Sequence, residues 1–253
     1  IGYISLIVLV LGLLVIINKF SSVNQTASVI SAFQGEKTDI KVANLPISEG
    51  LPIYLALEKG YFKEVGLSVE LISFEAPNQI VDALMTGQVE FTSPSGAMGI
   101  TGVADFKNPG KVKIYIISGG DETSSTHALV ARKGSGIVSF KDLKGKKLGI
   151  VPGIQWRTIS RDILSKNGLD FDKDVAIVEL APTLQIAALA SGQVDALLAL
   201  EPVVTIAKEE GVGTEVVRSP GSGVIANPFY PGAGAVRVDF AAQNPQVTAK
   251  FIE

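Results

Sequence analysis

The string ALMTGQVEF (residues 83–91) returns as ALASGQVDA (residues 188–196). The copies share Ala-Leu, a small hydroxyl residue, Gly-Gln-Val and then a carboxylate. They lie about 105 positions apart, the size of one small domain. A repeat at that spacing predicts two α/β half-molecules of one design. In each copy the glycine falls where a helix must stop in a left-handed turn, which glycine adopts without steric cost. The valine and the small residues beside it suit a buried strand. The string is therefore read as structural, and what it reveals is a duplicated lobe.

The pattern around the first copy supports this. Residues 40–44 (IKVAN) read as a strand. A loop and a helix follow, with Pro52 in the first turn and Gly60 just past the end. Residues 67–74 read as a second strand. Pro77 opens a helix with Ile80, Val81, Leu84 and Met85 on one face, and Gly87 stops it. Strands at residues 89–93 and 112–118 complete a β-α-β-α-β rhythm, which implies a parallel sheet with helices on both faces. After residue 136 the rhythm restarts. A strand at 146–151, a helix at 154–166 closed by Asn167-Gly168, a strand at 174–180, a helix from Pro182 to Gly192, a strand at 194–200 and a further helix follow. The expected fold class is α/β, with lobe 1 at residues 39–130 and lobe 2 at 131–224. Residues 225–253 are expected to cross back towards lobe 1. The crossings themselves are placed at 126–132 and 225–238. The helix begun at residues 244–253 leaves lobe 1 short of chain, so the C-terminus is read as cut.

The chain starts at Ile1, not Met, and is read as a fragment. Residues 1–17 carry no charge, and the first is Lys19. Residues 1–20 are expected to be a signal peptide or a membrane anchor, and 21–38, rich in Ser, Asn and Gln, a tether. Ser31-Ala32 is the best cleavage position, without a clear A-x-A. This points to export to the periplasm or the outer face of the cell membrane.

Composition then excludes whole classes of chemistry. Net charge is −3 with no basic stripe, so no nucleic-acid partner is expected. Cysteine is absent, which removes disulfides, thiolate catalysis and sulfur-ligated zinc. One histidine, His127, cannot build a histidine-rich metal site. No Ser-His-Asp set and no G-x-x-x-x-G-K-[ST] loop is present. No catalytic residue, metal or cofactor is expected.

Ligands of open parallel sheets bind beyond the carboxyl ends of the strands. That rule selects the loops at residues 46–52, 93–96, 151–158 and 200–202. Each runs into a helix N-terminus, where free N–H groups and partial positive charge favour anions. Ser93 and Ser95 are either ligand donors or helix caps, and Gly153, Gln155 and Thr158 carry the same two readings. Trp156, the only tryptophan, either walls a ligand or packs the core. Glu201 caps its helix, pairs with Arg157 or meets a cationic or hydrogen-bond-donating part of a ligand. Glu49 and Tyr54 are further candidates, and His127 is read mainly as a packed residue of the crossing.

Several of these pieces resemble a known family. PIYLALEKGYFKEVGL (residues 52–67), the two repeat strings, DLKGKKLGI (residues 142–150) and Glu201-Pro202 are similar to solute-binding proteins of ATP-driven importers. The resemblance is to the nitrate, sulfonate, taurine and pyrimidine-precursor type. It implies a two-lobed periplasmic-binding-protein fold of type II, a monomer whose hinged lobes close on a small anionic or zwitterionic solute. It also implies delivery to a membrane permease with its ATPase, and cleft contacts from Ser95-Gly96, residues 153–158 and Glu201. Two features depart from the pattern: Leu198-Ala199-Leu200 stand where aromatics often precede the Glu-Pro pair, and the lipid-anchor cysteine is missing. Other readings of the same fold are a tethered solute sensor without a permease and an enzyme of pyrimidine synthesis. The latter branch uses a cysteine-rich signature, which this chain lacks.

Overall fold

The computed structural model describes residues 38–95, 97–124 and 126–253. The expected leader and tether, through residue 37, and Gly96 lie outside the described residues. Residues Asp39–Glu253 form one structural unit. Its elements in chain order are β1 (Thr38–Asn44), α1 (Leu51–Lys59), α2 (Tyr61–Glu64), β2 (Leu67–Ser73), α3 (Pro77–Thr86), β3 (Phe91–Thr92), α4 (Met98–Lys107) and β4 (Val112–Gly120). They continue with β5 (His127–Arg132), β6 (Lys147–Ile150), α5 (Ile154–Lys166), β7 (Ala176–Glu179), α6 (Pro182–Ala190), β8 (Ala196–Leu200), α7 (Val203–Glu209) and β9 (Gly213–Arg218). The last are α8 (Pro220–Val224), β10 (Phe229–Arg237), α9 (Val238–Gln243) and α10 (Pro245–Ile252).

Two five-stranded sheets result, ordered β2-β1-β3-β10-β4 and β7-β6-β8-β5-β9. The orders are the same once the strands of each half are counted in turn. In both, the fourth position is filled by a strand that has crossed over, and it runs antiparallel to both neighbours. The β1–β3, β6–β7 and β6–β8 pairs are parallel. The fold is thus the two-lobed periplasmic-binding-protein fold, mainly parallel in each half. The expected mainly parallel sheet is found in each half. The antiparallel strand in each half comes from the chain's return, which no local pattern encodes. Strand β9 was not anticipated, and β3 is only two residues long. No helix among the described residues is long and apolar enough to cross a membrane.

The repeated string has a mechanical role. Gly87 closes α3 at φ 79°, and Gly192 follows α6 at φ 75°. Both are values that favour glycine. Beyond each glycine the carboxylate ties the sheet together. The N–H of Lys41 donates to Glu90 Oε2 at 2.8 Å and Glu90 N–H returns to Lys41 O at 3.1 Å. In the second half, Lys147 N–H donates to Asp195 Oδ2 at 3.0 Å and Asp195 N–H to Lys147 O at 2.9 Å. The incoming strand is held by the same residue: Arg237 N–H donates to Glu90 O at 3.1 Å, and Arg132 N–H to Asp195 O at 2.9 Å. Two copies of one sequence therefore make two copies of one joint.

Core residues follow the element pattern. One cluster gathers Ala43, Leu45, Ile80 and Leu84 of the first half with Leu148, Ile150, Trp156, Ile163 and Leu198 of the second. A second packs β5, β8, α6 and α7, and a third packs Ile40, Val42 and Phe91 against Phe251. The rings of Phe91 and Phe251 lie 4.0 Å apart, so α10 is stapled to the first sheet.

Candidate functional site

The carboxyl ends of β1 and β3 meet in a buried polar network. Asn44 ends β1 and is fully buried, as are Ser93 and Ser95. The Ser93 hydroxyl donates to Asn44 Oδ1 at 2.6 Å, and Asn44 Nδ2 donates to Tyr54 Oη at 2.6 Å. Ser93 and Ser95 share a further hydroxyl contact, and Ser95 Oγ accepts the Leu45 N–H at 3.2 Å. These hydroxyls are spent on the fold of the first half, and neither side chain caps α4. A buried amide must be paired to offset its lost hydration, and the serines do that for Asn44.

A seam joins this network to the second half. Ser48 N–H donates to Glu201 O at 2.8 Å, and Glu201 N–H donates to Thr126 O at 2.9 Å. The Glu201 carboxylate accepts Thr205 N–H at 3.0 Å and so caps the first turn of α7. Of the readings open for Glu201, helix capping is the one its contacts fill. Arg157 is 2.7 Å from Glu179 instead. Glu49 sits in a 3-10 turn, Ser48–Gly50, between β1 and α1. It is 5% exposed, and neither carboxylate oxygen has a hydrogen-bond partner of normal geometry. Burial pushes its pKa up to about 7, with the charge of Glu201 adding to the rise and the nearby Thr126 and Ser48 hydroxyls opposing it.

Gln155, in the first turn of α5, spans the gap between the halves. Its Oε1 accepts the Gly99 N–H at 2.8 Å and the Ile100 N–H at 3.4 Å. Its Nε2 donates to Pro231 O at 3.0 Å. One side chain thus occupies the free amides at the start of α4 and clasps the crossing strand. Beside it opens a cavity of about 510 Å³, walled by Met98, Ile100 and Val103 of α4, Ile154 and Ile159 of α5, and Phe229 of β10. Thr158 lines it too, though its hydroxyl donates to Ile154 O at 2.8 Å. The walls are nearly all apolar. The arrangement can hold an apolar body, with backbone N–H groups for anionic oxygens at one end.

Gly153 has φ +103°, a region closed to most side chains, and a Cβ there would lie 2.6 Å from Asn78 Oδ1 of the opposite half. Trp156 is fully buried in the core cluster, with its ring 6.3 Å from that of His127. It does not line the cavity. His127 is 3% exposed, its Nε2 accepts Gly221 N–H at 2.9 Å, and burial lowers its pKa to about 4. It is a neutral, packed imidazole.

The structure therefore brings Gln155 and Thr158 to the cavity, and Glu49 and Glu201 to the seam. Ser93, Ser95 and Tyr54 form the polar network, and Trp156 joins the core. Sequence reasoning missed Asn44, Asn78, Met98, Ile100, Val103, Phe229 and Pro231. A polar residue closing a buried strand marks Asn44. The cavity walls carry no such mark, because an apolar lining reads as an apolar core.

Comparison with known proteins fits this geometry. The pattern of the family described as NMT1/THI5 like matches residues 48–253. A protein of Brucella abortus named "Putative binding protein" is 29% identical over 198 residues, 78% of this chain and 58% of that protein. The chain thus spans less than two thirds of that relative. The 4-amino-5-hydroxymethyl-2-methylpyrimidine phosphate synthase of Aspergillus parasiticus is 32% identical over 166 residues, 65% of this chain and 46% of the synthase. The alkanesulfonate-binding protein of Xanthomonas axonopodis pv. citri bound to MOPS superposes with a TM-score of 0.66 at 18% identity, over 86% of this chain and 71% of that one. At that identity the superposition speaks for the fold alone.

Proposed function

The chain belongs to the NMT1/THI5-like family, and from that premise we propose that it is the solute-binding component of an ATP-driven importer. It takes a small anionic or zwitterionic solute between its two halves outside the cytoplasm and hands it to a membrane permease. The observation that carries this reading is the cavity of about 510 Å³ walled by α4 and β10 of the first half and α5 of the second, with Gln155 reaching to the amides of α4. A solute bridging the gap stabilises the closed form by its differential affinity, and the closed surface is what a permease would read. Anionic oxygens of the solute replace Gln155 Oε1 at Gly99 and Ile100, and an alkyl or aromatic body fills the apolar walls. The sulfonate ligand of the Xanthomonas protein has that build.

A second reading is favoured by the identity to the pyrimidine phosphate synthase. Against it stand the absence of cysteine and the burial of His127, whose Nε2 is engaged by Gly221. Isothermal calorimetry against ethanesulfonate, butanesulfonate, taurine, nitrate and hydroxymethyl-pyrimidine tests the binding reading. One-to-one heats from a sulfonate are expected. Folded protein that gives no heat with any of the five contradicts it.

A further inference from the structure

Glu49 is the one described carboxylate that is both nearly inaccessible and without a hydrogen-bond partner on either oxygen. Its turn packs on the polar network: a Cβ at Gly50 would lie 2.6 Å from Asn44 Oδ1 and 3.3 Å from the Tyr54 ring. On its other side are Thr126 and the Glu201 carboxylate, whose charge it feels. The backbone bond from Ser48 to Glu201 O fixes that proximity across the two halves. Two carboxylates from opposite halves are thus held near each other at the seam. Glu201 is answered by Thr205 N–H, while the Glu49 oxygens have no partner of normal hydrogen-bond geometry, only the Thr126 and Ser48 hydroxyls nearby. A buried acid so placed has two ways to avoid an uncompensated charge: it takes up a proton, or it meets a positive group brought in from outside.

We propose that Glu49 receives the protonated amine of the solute, which makes the solute a zwitterion with its anionic end elsewhere in the gap. This rests on the solute-binding reading and narrows it, since nitrate and plain alkanesulfonates offer Glu49 no donor. An ammonium group has three N–H donors for two unpaired oxygens and removes the repulsion between Glu49 and Glu201.

The experiment titrates the full chain and its Glu49→Gln variant with taurine, ethanesulfonate and ethylamine. Taurine joins the sulfonate of the second probe to the amine of the third. Circular dichroism confirms that the variant is folded. The expected result is a taurine preference over ethanesulfonate of about tenfold to a hundredfold, the worth of a charge-assisted hydrogen bond, falling to near one in the variant. Ethanesulfonate binding as tightly as taurine overturns the role of Glu49 and leaves the anion reading standing. Ethylamine binding alone, lost in the variant, supports Glu49 and overturns the anion reading. No binding of taurine or ethylamine overturns the role of Glu49.

Discussion

Replacing Glu49 by Gln should change how stability depends on pH, and the sign can be worked from burial alone. Glu49 goes from 4.5 unfolded to about 7 folded. The folded protein therefore holds that proton more tightly, so the stabilisation is full below pH 4.5 and lost as pH rises through 7. His127 goes from 6.5 to about 4, because burial disfavours the imidazolium. Its contribution is full above pH 6.5 and lost as pH falls through 4. Between pH 8 and pH 5, Glu49 adds about 2.5 kcal/mol and His127 removes about 2 kcal/mol, at about 1.36 kcal/mol per pH unit. Asp121, lowered to about 2 by the Thr123 and Ser124 groups bonded to it, is ionised throughout this window and cancels. The wild type should be nearly flat from pH 8 to 5. Glu49→Gln unmasks His127 and should lose about 2 kcal/mol on the same acidification. Urea unfolding followed by the emission of Trp156, the only and fully buried tryptophan, reads both proteins at both pH values. A difference between variant and wild type that is the same at pH 5 and pH 8 refutes the reasoning.

Three further substitutions probe the joints. Gln155→Ala removes the 2.8 Å and 3.0 Å bonds across the gap, so the ligand-free protein should open by about 1–3 kcal/mol, seen as a larger radius of gyration in small-angle scattering. Gly153→Ala forces a side chain to φ +103° against Asn78, which should cost about 1–3 kcal/mol in urea unfolding and weaken solute binding with it. Gly87→Ala puts a Cβ at φ +79°, for a loss of about 1–2 kcal/mol, while Arg237, whose guanidinium lies 2.7 Å away, can swing aside. An unchanged midpoint for Gly87→Ala would contradict the structural role of the repeated string.

Much of the fold was legible because its signals are local. Pro52, Pro77 and Pro182 open helices α1, α3 and α6, and Gly60 and Gly87 close the first two in left-handed turns, each set by one residue's backbone freedom. The repeat exposed the doubling, and the positions of β5 and β10 followed from the need to cross between halves. Their antiparallel direction and their place in each sheet were not legible, since pairing between residues 91 and 236 has no neighbourhood signature. The strand-end rule pointed to the loops that carry Gln155 and Thr158 beside the cavity and Glu49 and Glu201 at the seam. It could not tell which hydroxyls serve the fold: Ser93 and Ser95 turn inward to Asn44. Nor could it foresee that Trp156, one residue past Gln155, packs into the core while Gln155 reaches α4 and β10. A helix turns about 100° per residue, so neighbours on one loop-to-helix junction part company at once. Met98, Val103 and Phe229 were missed because apolar walls and apolar core look alike in sequence.

Hydrogen exchange by mass spectrometry, with and without saturating taurine, tests the central claim that solute is gripped between the two halves. The account predicts slowed exchange together at the start of α4, including Gly99 and Ile100, at the start of α5 around Gly153, and at Phe229–Arg237. The start of α4 and β10 belong to the first half and the start of α5 to the second, and Gln155 joins them across the gap. Binding that slows exchange in one half alone would contradict it.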